Sequence, residues 1–221
     1  MAVALSNASP KAAAMTISLS DAGKRYNREW VFRHFQYQFQ SGNAYAISGP
    51  NGSGKSTLLQ AIGSALMLNE GKIIYEQEQK QVSAESVYKH ISICAPYLEV
   101  IEEMTVREFL EFHQSFKPFL AGVEIPFIIE KVGLSKAEHK QIRYYSSGMK
   151  QRVKLAQCIF SDTTIVLLDE PCTNLDTEGI SVYQNLIKDY CTSRLVIVSS
   201  NDEVETGFCS EQINMGDYKS K

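Results

Sequence analysis

The sequence predicts an α/β fold, a parallel sheet covered by helices with a helical segment inserted into it. Two apolar, β-branched runs at 164–168 and 195–199 flank a helical pattern at about 180–190. Continuously apolar strands alternating with helices are typical of a parallel sheet that is covered on both faces. The pattern also turns helical between about residues 97 and 160. A chain of 221 residues is long enough for one large domain with such an insertion.

The first third of the chain predicts strands around a glycine-rich turn. Residues 15–39 are β-like, and strict alternation over 35–40 indicates a half-exposed strand with one aromatic face. A turn at 41–43 precedes a short buried strand at 44–47. We then expect a helix over 56–66, a turn at 69–71, a strand at 72–75 and an exposed hairpin or loop over 76–83.

Helical signals dominate the middle of the chain. Thr105 and Glu108 fit a capping box, and the apolar residues that follow recur at helical spacing until Pro118. A second helix is predicted over 126–132 and ends at Gly133. A third is predicted over 147–160, so the insertion is mainly helical.

Composition and charge argue against several classes of protein. The 22 basic and 25 acidic residues show no clustered basic excess, so we expect no nucleic-acid partner. No stretch approaches the roughly 18 consecutive apolar residues that cross a bilayer. Residues 1–14 are rich in Ala and Ser, and we expect a disordered head rather than a signal peptide. Residues 15–221 are then one domain.

A glycine-rich run between a predicted strand and a predicted helix matches G-x-x-x-x-G-K followed by Ser or Thr. Its glycines let successive N–H groups point at phosphate oxygens, and the helix adds its positive dipole end. Lys55 is expected to reach the β- and γ-phosphates, and the Ser56 hydroxyl to ligate Mg²⁺. The predicted phosphate-binding residues are Gly49, Pro50, Asn51, Gly52, Ser53, Gly54, Lys55, Ser56 and Thr57.

The apolar strand at 164–168 is followed by two carboxylates, Asp169 and Glu170. Acids at the carboxyl edge of a buried strand lie where α/β folds bind ligands. Asp169 can hold Mg²⁺, and Glu170 can orient and polarise a water against the γ-phosphate. A strand that ends in Asp-Glu is often a simple exposed strand end. Beside a phosphate loop, the pair predicts the hydrolytic half of a nucleotide site.

The run YSSGMKQR at 145–152 resembles the signature sequence of ATP-binding cassette (ABC) proteins, whose common form is LSGGQ-x-QR. It precedes the Asp-Glu strand, as in that family, and the resemblance extends from about Met15 to the end of the chain. The resemblance implies a P-loop NTPase core with a parallel sheet, a small antiparallel β subdomain and a helical subdomain over about 97–160.

The resemblance also implies roles outside the phosphate loop. Tyr26 resembles the aromatic residue that stacks on adenine, although an exposed strand tyrosine is an alternative. Asp176, in the loop TNLD, resembles a residue at the interface of a head-to-tail dimer that sandwiches two ATP molecules. The signature residues would meet the γ-phosphate held by the other subunit; they are Ser146, Ser147, Gly148 and Met149.

Three places depart from the family pattern. Ser147 and Met149 stand where Gly and Gln are common in the signature. The loop that usually carries a Gln reads APYLE, which puts Pro96 or Tyr97 at that position. Asn201 stands where the family has a switch histidine, and Asn can donate a hydrogen bond to the γ-phosphate but carries no positive charge. ATP binding is expected to survive, and the rate of hydrolysis is left open.

For function, the resemblance implies an ATPase that uses ATP and Mg²⁺ to drive a membrane transporter whose spanning subunit is a separate chain. The implied partners are a second ABC subunit and that integral-membrane subunit, at the inner face of the cell membrane. Glu99, Glu102 and Glu103 predict an acidic rim where the helical insertion docks, although a solvated loop is an alternative. The competing function is a slow or regulatory nucleotide-binding cassette, in a heterodimer or outside transport.

Overall fold

The computed structural model describes residues 14–219. The expected disordered head lies outside the described residues, apart from Ala14. The strands are β1 (Met15–Tyr26), β2 (Glu29–Gln40), β3 (Ala44–Ser48), β4 (Glu70–Gln77), β5 (Lys80–Val82), β6 (Ile91–Cys94), β7 (Ile165–Asp169), β8 (Leu195–Ser199) and β9 (Glu211–Asn214). The α-helices are α1 (Lys55–Ile62), α2 (Val106–Phe116), α3 (Ile125–Lys131), α4 (Ser147–Phe160), α5 (Thr177–Tyr190) and α6 (Glu203–Thr206).

A parallel sheet forms the centre of the fold, with strand order β6-β7-β8-β3-β9. Every residue of β7 and β8 is buried, as their continuously apolar sequences predict. Parallel strands bring their carboxyl ends to one edge of a sheet. The segments that follow β3, β6, β7 and β8 therefore meet at that edge, where ligands bind in folds of this type.

A four-stranded antiparallel sheet, in the order β2-β1-β4-β5, packs beside this core. Alternate residues of β1, among them Ile17 and Leu19, are fully or almost fully buried. The strand predicted over 72–75 extends to Glu70–Gln77. Of the hairpin or loop expected over 76–83, the hairpin is present as the β4–β5 pair. The antiparallel β region that the family resemblance implies is therefore present.

The segment at 97–160 contains α2, α3 and α4, as predicted. The Thr105 hydroxyl accepts from the Glu108 N–H at 3.3 Å, and the Glu108 carboxylate accepts from the Thr105 N–H at 2.8 Å, which confirms the capping box. Val106, Phe109 and Leu110 of α2 are buried in a core that this segment shares with the parallel sheet. No helix within residues 14–219 is both long enough and apolar enough to cross a membrane.

Two predicted helix boundaries are wrong. The helix predicted over 56–66 ends at Ile62, because Gly63 caps it and Ser64 takes a positive φ of 57°. The helix predicted from about residue 180 already begins at Thr177. The Asp176 carboxylate caps its first turn by accepting from the Gly179 N–H at 2.8 Å.

Candidate active site

The phosphate loop connects β3 to α1, and its own backbone shapes it. The Ser53 N–H donates to the Pro50 carbonyl at 3.0 Å, which closes the loop. Gly54 has a φ of +96°, and a Cβ there would lie 2.5 Å from Cγ1 of Val31. Only glycine meets both conditions. The loop therefore passes close to β2 at Gly54.

Lys55 begins α1 and is almost fully buried. Its ammonium donates to the Gly49 carbonyl at 2.8 Å and to the Pro50 carbonyl at 3.4 Å, so the loop itself holds the charge in place. Ser56 and Thr57 follow in the first turn, half-buried. A helix N-terminus and a fixed ammonium at one loop favour an anion such as a triphosphate.

Asp169 ends β7 and is 2% exposed. Within residues 14–219 its buried Oδ1 has no hydrogen-bond partner, and the same holds for the hydroxyl oxygens of Ser53 and Ser199. A buried carboxylate oxygen without a partner is unfavourable unless a cation or a donor meets it. Together with the Ser56 hydroxyl, Asp169 supplies the hard oxygen ligands that Mg²⁺ prefers. The residues fit this ion.

Glu170 follows β7 with an exposed side chain and a strained backbone. Its φ of 42° lies in the left-handed region, which costs about 1–3 kcal/mol for a residue other than glycine. Its N–H donates to the Ser199 carbonyl of β8 at 3.0 Å, and its carbonyl accepts from the Thr173 N–H at 3.1 Å. The turn therefore projects the Glu170 carboxylate out of the sheet edge, next to the buried Asp169.

Asn201 follows β8 and is bound to the phosphate loop. Its side-chain oxygen accepts from the Gly49 N–H at 2.9 Å, and its Nδ2 donates to the Gly49 carbonyl at 2.8 Å. The sequence predicts a donor to the γ-phosphate at this position. Since Nδ2 carries two hydrogens, one remains beyond the bond to Gly49. The γ-phosphate contact stays a prediction.

Tyr26 ends β1 and is 50% exposed. The Lys24 ammonium lies 5.3 Å from the centre of its ring. Tyr26 lines a cavity of about 620 Å³ together with Gly52 of the phosphate loop. An exposed ring that shares a cavity with the phosphate loop is well placed to stack on a base.

The signature residues begin α4. The Ser146 hydroxyl caps this helix by accepting from the Met149 N–H at 3.2 Å, and the Ser146 and Ser147 side chains are exposed. A Cβ on Gly148 would lie 2.8 Å from the Asn174 carbonyl oxygen, so only glycine lets the two segments approach this closely. Across residues 14–219, no hydrogen bond joins the signature to the phosphate loop.

Arg152 connects α4 to the loop that ends at Asp176. Its guanidinium donates to the Asp176 carboxylate at 2.9 Å and to Glu178 at 3.3 Å. The Gly179 N–H and then Arg152 hold the pKa of Asp176 below its usual value. The signature helix and the predicted interface loop are thus one connected unit, with the Asp176 side chain 71% exposed.

Tyr97 follows β6 in the loop that lacks the usual Gln, and it is 48% exposed. Burial raises the pKa of Tyr97, and the charge of Asp169 raises it further. Of the two residues predicted for the Gln position, Tyr97 is therefore the one whose polar group lies near the acid at the end of β7.

Two buried polar side chains that sequence reasoning missed hold the turn after Glu170. Gln151 of α4 donates to the Pro171 carbonyl at 2.8 Å. The Glu205 carboxylate of α6 accepts from the Cys172 N–H at 2.6 Å. Gln151 stands at the Gln of the QR pair in the signature pattern, so the motif could have identified it from the sequence. Glu205 belongs to no motif.

Phosphate loop, buried acid and exposed acid thus meet at the carboxyl edge of a parallel sheet, which defines a nucleoside triphosphatase of the P-loop class. The model of the ABC transporter family matches residues 32–173, well over half of the chain. The protein belongs to this family, whose function is ATP hydrolysis.

Similarity to known proteins extends over most of the chain. It is 28% identical to the ABC transporter ATP-binding protein YybJ of Bacillus subtilis, over 84% of this chain and 85% of that one. It is 25% identical to the cytochrome c biogenesis ATP-binding export protein CcmA of Haemophilus influenzae, over 93% of this chain and 97% of that one. Three other relatives from B. subtilis are longer, and this chain spans 61%, 54% and 61% of their lengths.

The fold is shared with solved cassettes. A dimeric ATP-binding cassette in a post-hydrolysis state, bound to ADP and Pi, superimposes with a TM-score of 0.77 at 20% identity. The superposition covers 92% of this chain and 94% of that one. The α/β architecture predicted from the sequence is thereby confirmed.

Proposed function

We propose that this chain binds ATP with Mg²⁺ and hydrolyses it to drive a transporter whose membrane-spanning subunit is a separate chain. The observation that carries the proposal is the buried Asp169 carboxylate, whose Oδ1 has no partner within residues 14–219. It lies at the same sheet edge as the phosphate loop and Glu170. An acid aimed at a cation, an acid open to water and an anion-binding loop are the parts that phosphoryl transfer needs.

Each residue has a defined task in this mechanism. Loop N–H groups and Lys55 bind the β- and γ-phosphates, and Tyr26 stacks on the adenine. Ser56 and Asp169 would hold Mg²⁺, which neutralises charge on the β- and γ-oxygens when bound. Glu170 orients the attacking water and accepts its proton as the oxygen–phosphorus bond forms. The bond from the γ-phosphorus to the β–γ bridging oxygen breaks, and ADP leaves.

A second ABC subunit completes the site in this proposal. Ser146 and Ser147 are exposed at the start of α4, where the helix N-terminus favours a phosphate. Their lack of hydrogen bonds to the phosphate loop within residues 14–219 fits a role toward another subunit's ATP. The exposed Asp176 side chain lies on the same connected unit, and the similar cassette with ADP and Pi is a dimer.

A membrane subunit is the proposed second partner, which would hold the chain at the inner face of the cell membrane. Exposed aromatic rings of the helical segment and its flanks support a docking surface there: Tyr88, Tyr97, Phe112 and Phe116. The rings of Phe112 and Phe116 contact each other, with centroids 5.0 Å apart. Relatives named as export and transport ATP-binding proteins favour the same role.

The predicted acidic rim is partly neutralised in the structure. Glu102 pairs with Lys150 at 2.5 Å and Glu103 with Arg143 at 3.4 Å. Apolar contact is therefore a better candidate than charge for the docking energy. Phe116→Asp should abolish copurification of an integral-membrane protein from detergent extracts and leave ATP binding intact. Glu78→Lys, at the β4–β5 turn, is the control. Equal recovery of the membrane protein by both variants would contradict this docking surface.

Phosphate release tests the hydrolytic proposal directly. The purified chain should release phosphate from ATP with Mg²⁺, stop when EDTA is added, and resume with excess Mg²⁺. Asp169→Asn should remove this activity, because a neutral amide cannot replace the carboxylate at the ion. Asp189→Asn, an exposed acid on α5, is the matched control. Turnover that continues in EDTA would overturn the metal assignment.

The second candidate function is a slow or regulatory cassette paired with a different ABC subunit. The bonds between Asn201 and Gly49 favour it, since they engage the side chain that stands at the histidine position. Turnover by the chain alone at saturating ATP separates the two functions. Hydrolysis that appears only after a second, different cassette is added would favour the second candidate.

A further inference from the structure

The turn at Glu170 is held by groups from outside the turn itself. Glu170 has a left-handed φ of 42°, a conformation that persists only where the surroundings enforce it. The Ser199 carbonyl accepts from the Glu170 N–H, and Gln151 donates to the Pro171 carbonyl. The third contact is the bond from the Cys172 N–H to Glu205 at 2.6 Å.

Glu205 is an unusual residue for its place. It is 4% exposed, in the short helix α6, and burial of a carboxylate is costly unless donors meet it. The Cys172 N–H is such a donor, although burial still raises the pKa of Glu205. An apolar side chain of similar size would fill the space without that penalty. What the carboxylate adds is its bond to the turn.

The segment that carries Glu205 also touches the phosphate loop. Asn201 exchanges two hydrogen bonds with the Gly49 backbone. The Ser200 N–H donates to the Ile47 carbonyl of β3 at 3.1 Å. Residues 200–205 therefore connect the start of the phosphate loop to the turn that carries the exposed acid.

We propose that Glu205 is a positioning residue for hydrolysis, which fixes the turn after β7 through the Cys172 N–H and thereby aims the Glu170 carboxylate at the attacking water. This inference rests on the proposed role of Glu170. When the acceptor is removed, a buried N–H loses its partner and the strained turn loses one of its supports. Misplacement of a reacting group by about 1 Å can lower a rate by about a hundredfold.

The test compares Glu205→Leu with Glu205→Gln, whose amide oxygen can still accept from the Cys172 N–H. Glu205→Leu should lower kcat by about ten- to a hundredfold, while the Kd for ATP stays within about threefold. Glu205→Gln should keep kcat within about threefold of the parent protein. Glu203→Leu and Glu203→Gln, at an exposed position of the same helix, are the matched controls and should behave as the parent.

Several outcomes would overturn the inference. One is parental kcat in Glu205→Leu. Another is an equal loss of kcat in the Leu and Gln variants. A third is a loss of ATP affinity as large as the loss of kcat, which indicates a general structural role. If Glu205→Leu does not fold, Glu205→Met, with an unbranched apolar side chain, takes its place and the same outcomes apply.

Glu170→Gln separates this inference from the proposed function. Undiminished hydrolysis in Glu170→Gln means that the proposed role of Glu170 fails. An inactive Glu170→Gln beside a fully active Glu205→Leu means that only the positioning role of Glu205 fails.

Discussion

The phosphate loop and the turn at Glu170 lie at the same sheet edge, but different parts of the chain hold them. The loop is closed by bonds among its own residues, from Ser53 to Pro50 and from Lys55 to Gly49, and Asn201 adds two bonds to Gly49 at its start. The turn depends on α4, β8 and α6. A short sequence pattern can identify an element that its own residues hold in place. For an element held by distant residues, the pattern identifies only the functional side chain and not the residues that support it.

The largest effect is expected at the turn, in Glu170→Gln. The amide keeps the shape and hydrogen bonding of the side chain but lacks the charge that polarises water. Hydrolysis should fall by about 10²–10⁴, the usual contribution of a general base. ATP should bind about as well as to the parent protein, and an ATP-bound dimer should accumulate. Size-exclusion chromatography with ATP and Mg²⁺, beside a phosphate-release assay, measures both effects.

Glu130→Gln is the control for this variant, since Glu130 is an exposed acid of α3. Its turnover and its elution with ATP should match the parent protein. A hydrolysis rate of Glu170→Gln within about threefold of the parent rate would be a far smaller loss than the removal of a general base causes. That result would remove Glu170 from the mechanism and favour the slow-cassette function.

The second effect belongs to the phosphate loop. Lys55→Ala removes the ammonium that the loop carbonyls hold in place, and with it the charge that balances the phosphates. We expect ATP affinity to fall at least tenfold, or about 1.4 kcal/mol. A nucleotide titration measures this loss. Lys72→Ala, on β4, should leave the affinity unchanged, and equal affinity in the two variants would contradict the assignment of the loop.

A smaller effect is expected when one distant support of the turn is removed. Gln151→Leu deletes the donor to the Pro171 carbonyl, a net loss of about 1 kcal/mol for a typical hydrogen bond. We expect kcat to fall about fivefold with little change in ATP affinity. Gln157→Leu, on the same helix, is the control. If Gln151→Leu instead weakened ATP binding and left kcat unchanged, the turn would contribute to ATP binding rather than to the position of Glu170, which contradicts the prediction.

The smallest effect concerns the loop without the usual Gln. Tyr97→Phe removes the hydroxyl that lies near Asp169 and keeps the ring. A two- to fivefold loss of kcat, about the value of one exposed hydrogen bond, is expected. Tyr88→Phe is the control. Turnover equal to that of the parent protein would show that this loop contributes contact surface rather than a polar group.

The sequence by itself determined the features that depend on neighbouring residues. The phosphate loop, the apolar strand before Asp169 and the capping box at Thr105 each occupy a short run, and each run forms as predicted. The family followed from the order of such runs. The continuously apolar runs also predicted the parallel sheet, and every residue of β7 and β8 is buried, including the terminal Asp169 and Ser199.

Only the tertiary structure decided which side chains meet at the sheet edge. Glu205 reaches Cys172 across 33 positions of sequence, and Asn201 reaches Gly49 across 152. Glu102 pairs with Lys150 across 48 positions, which partly neutralises a rim that looks acidic in the sequence. Such contacts depend on how the strands are ordered in the sheet. A pattern of adjacent residues predicts which helices and strands form. The order of the strands in the sheet determines which of their ends are neighbours.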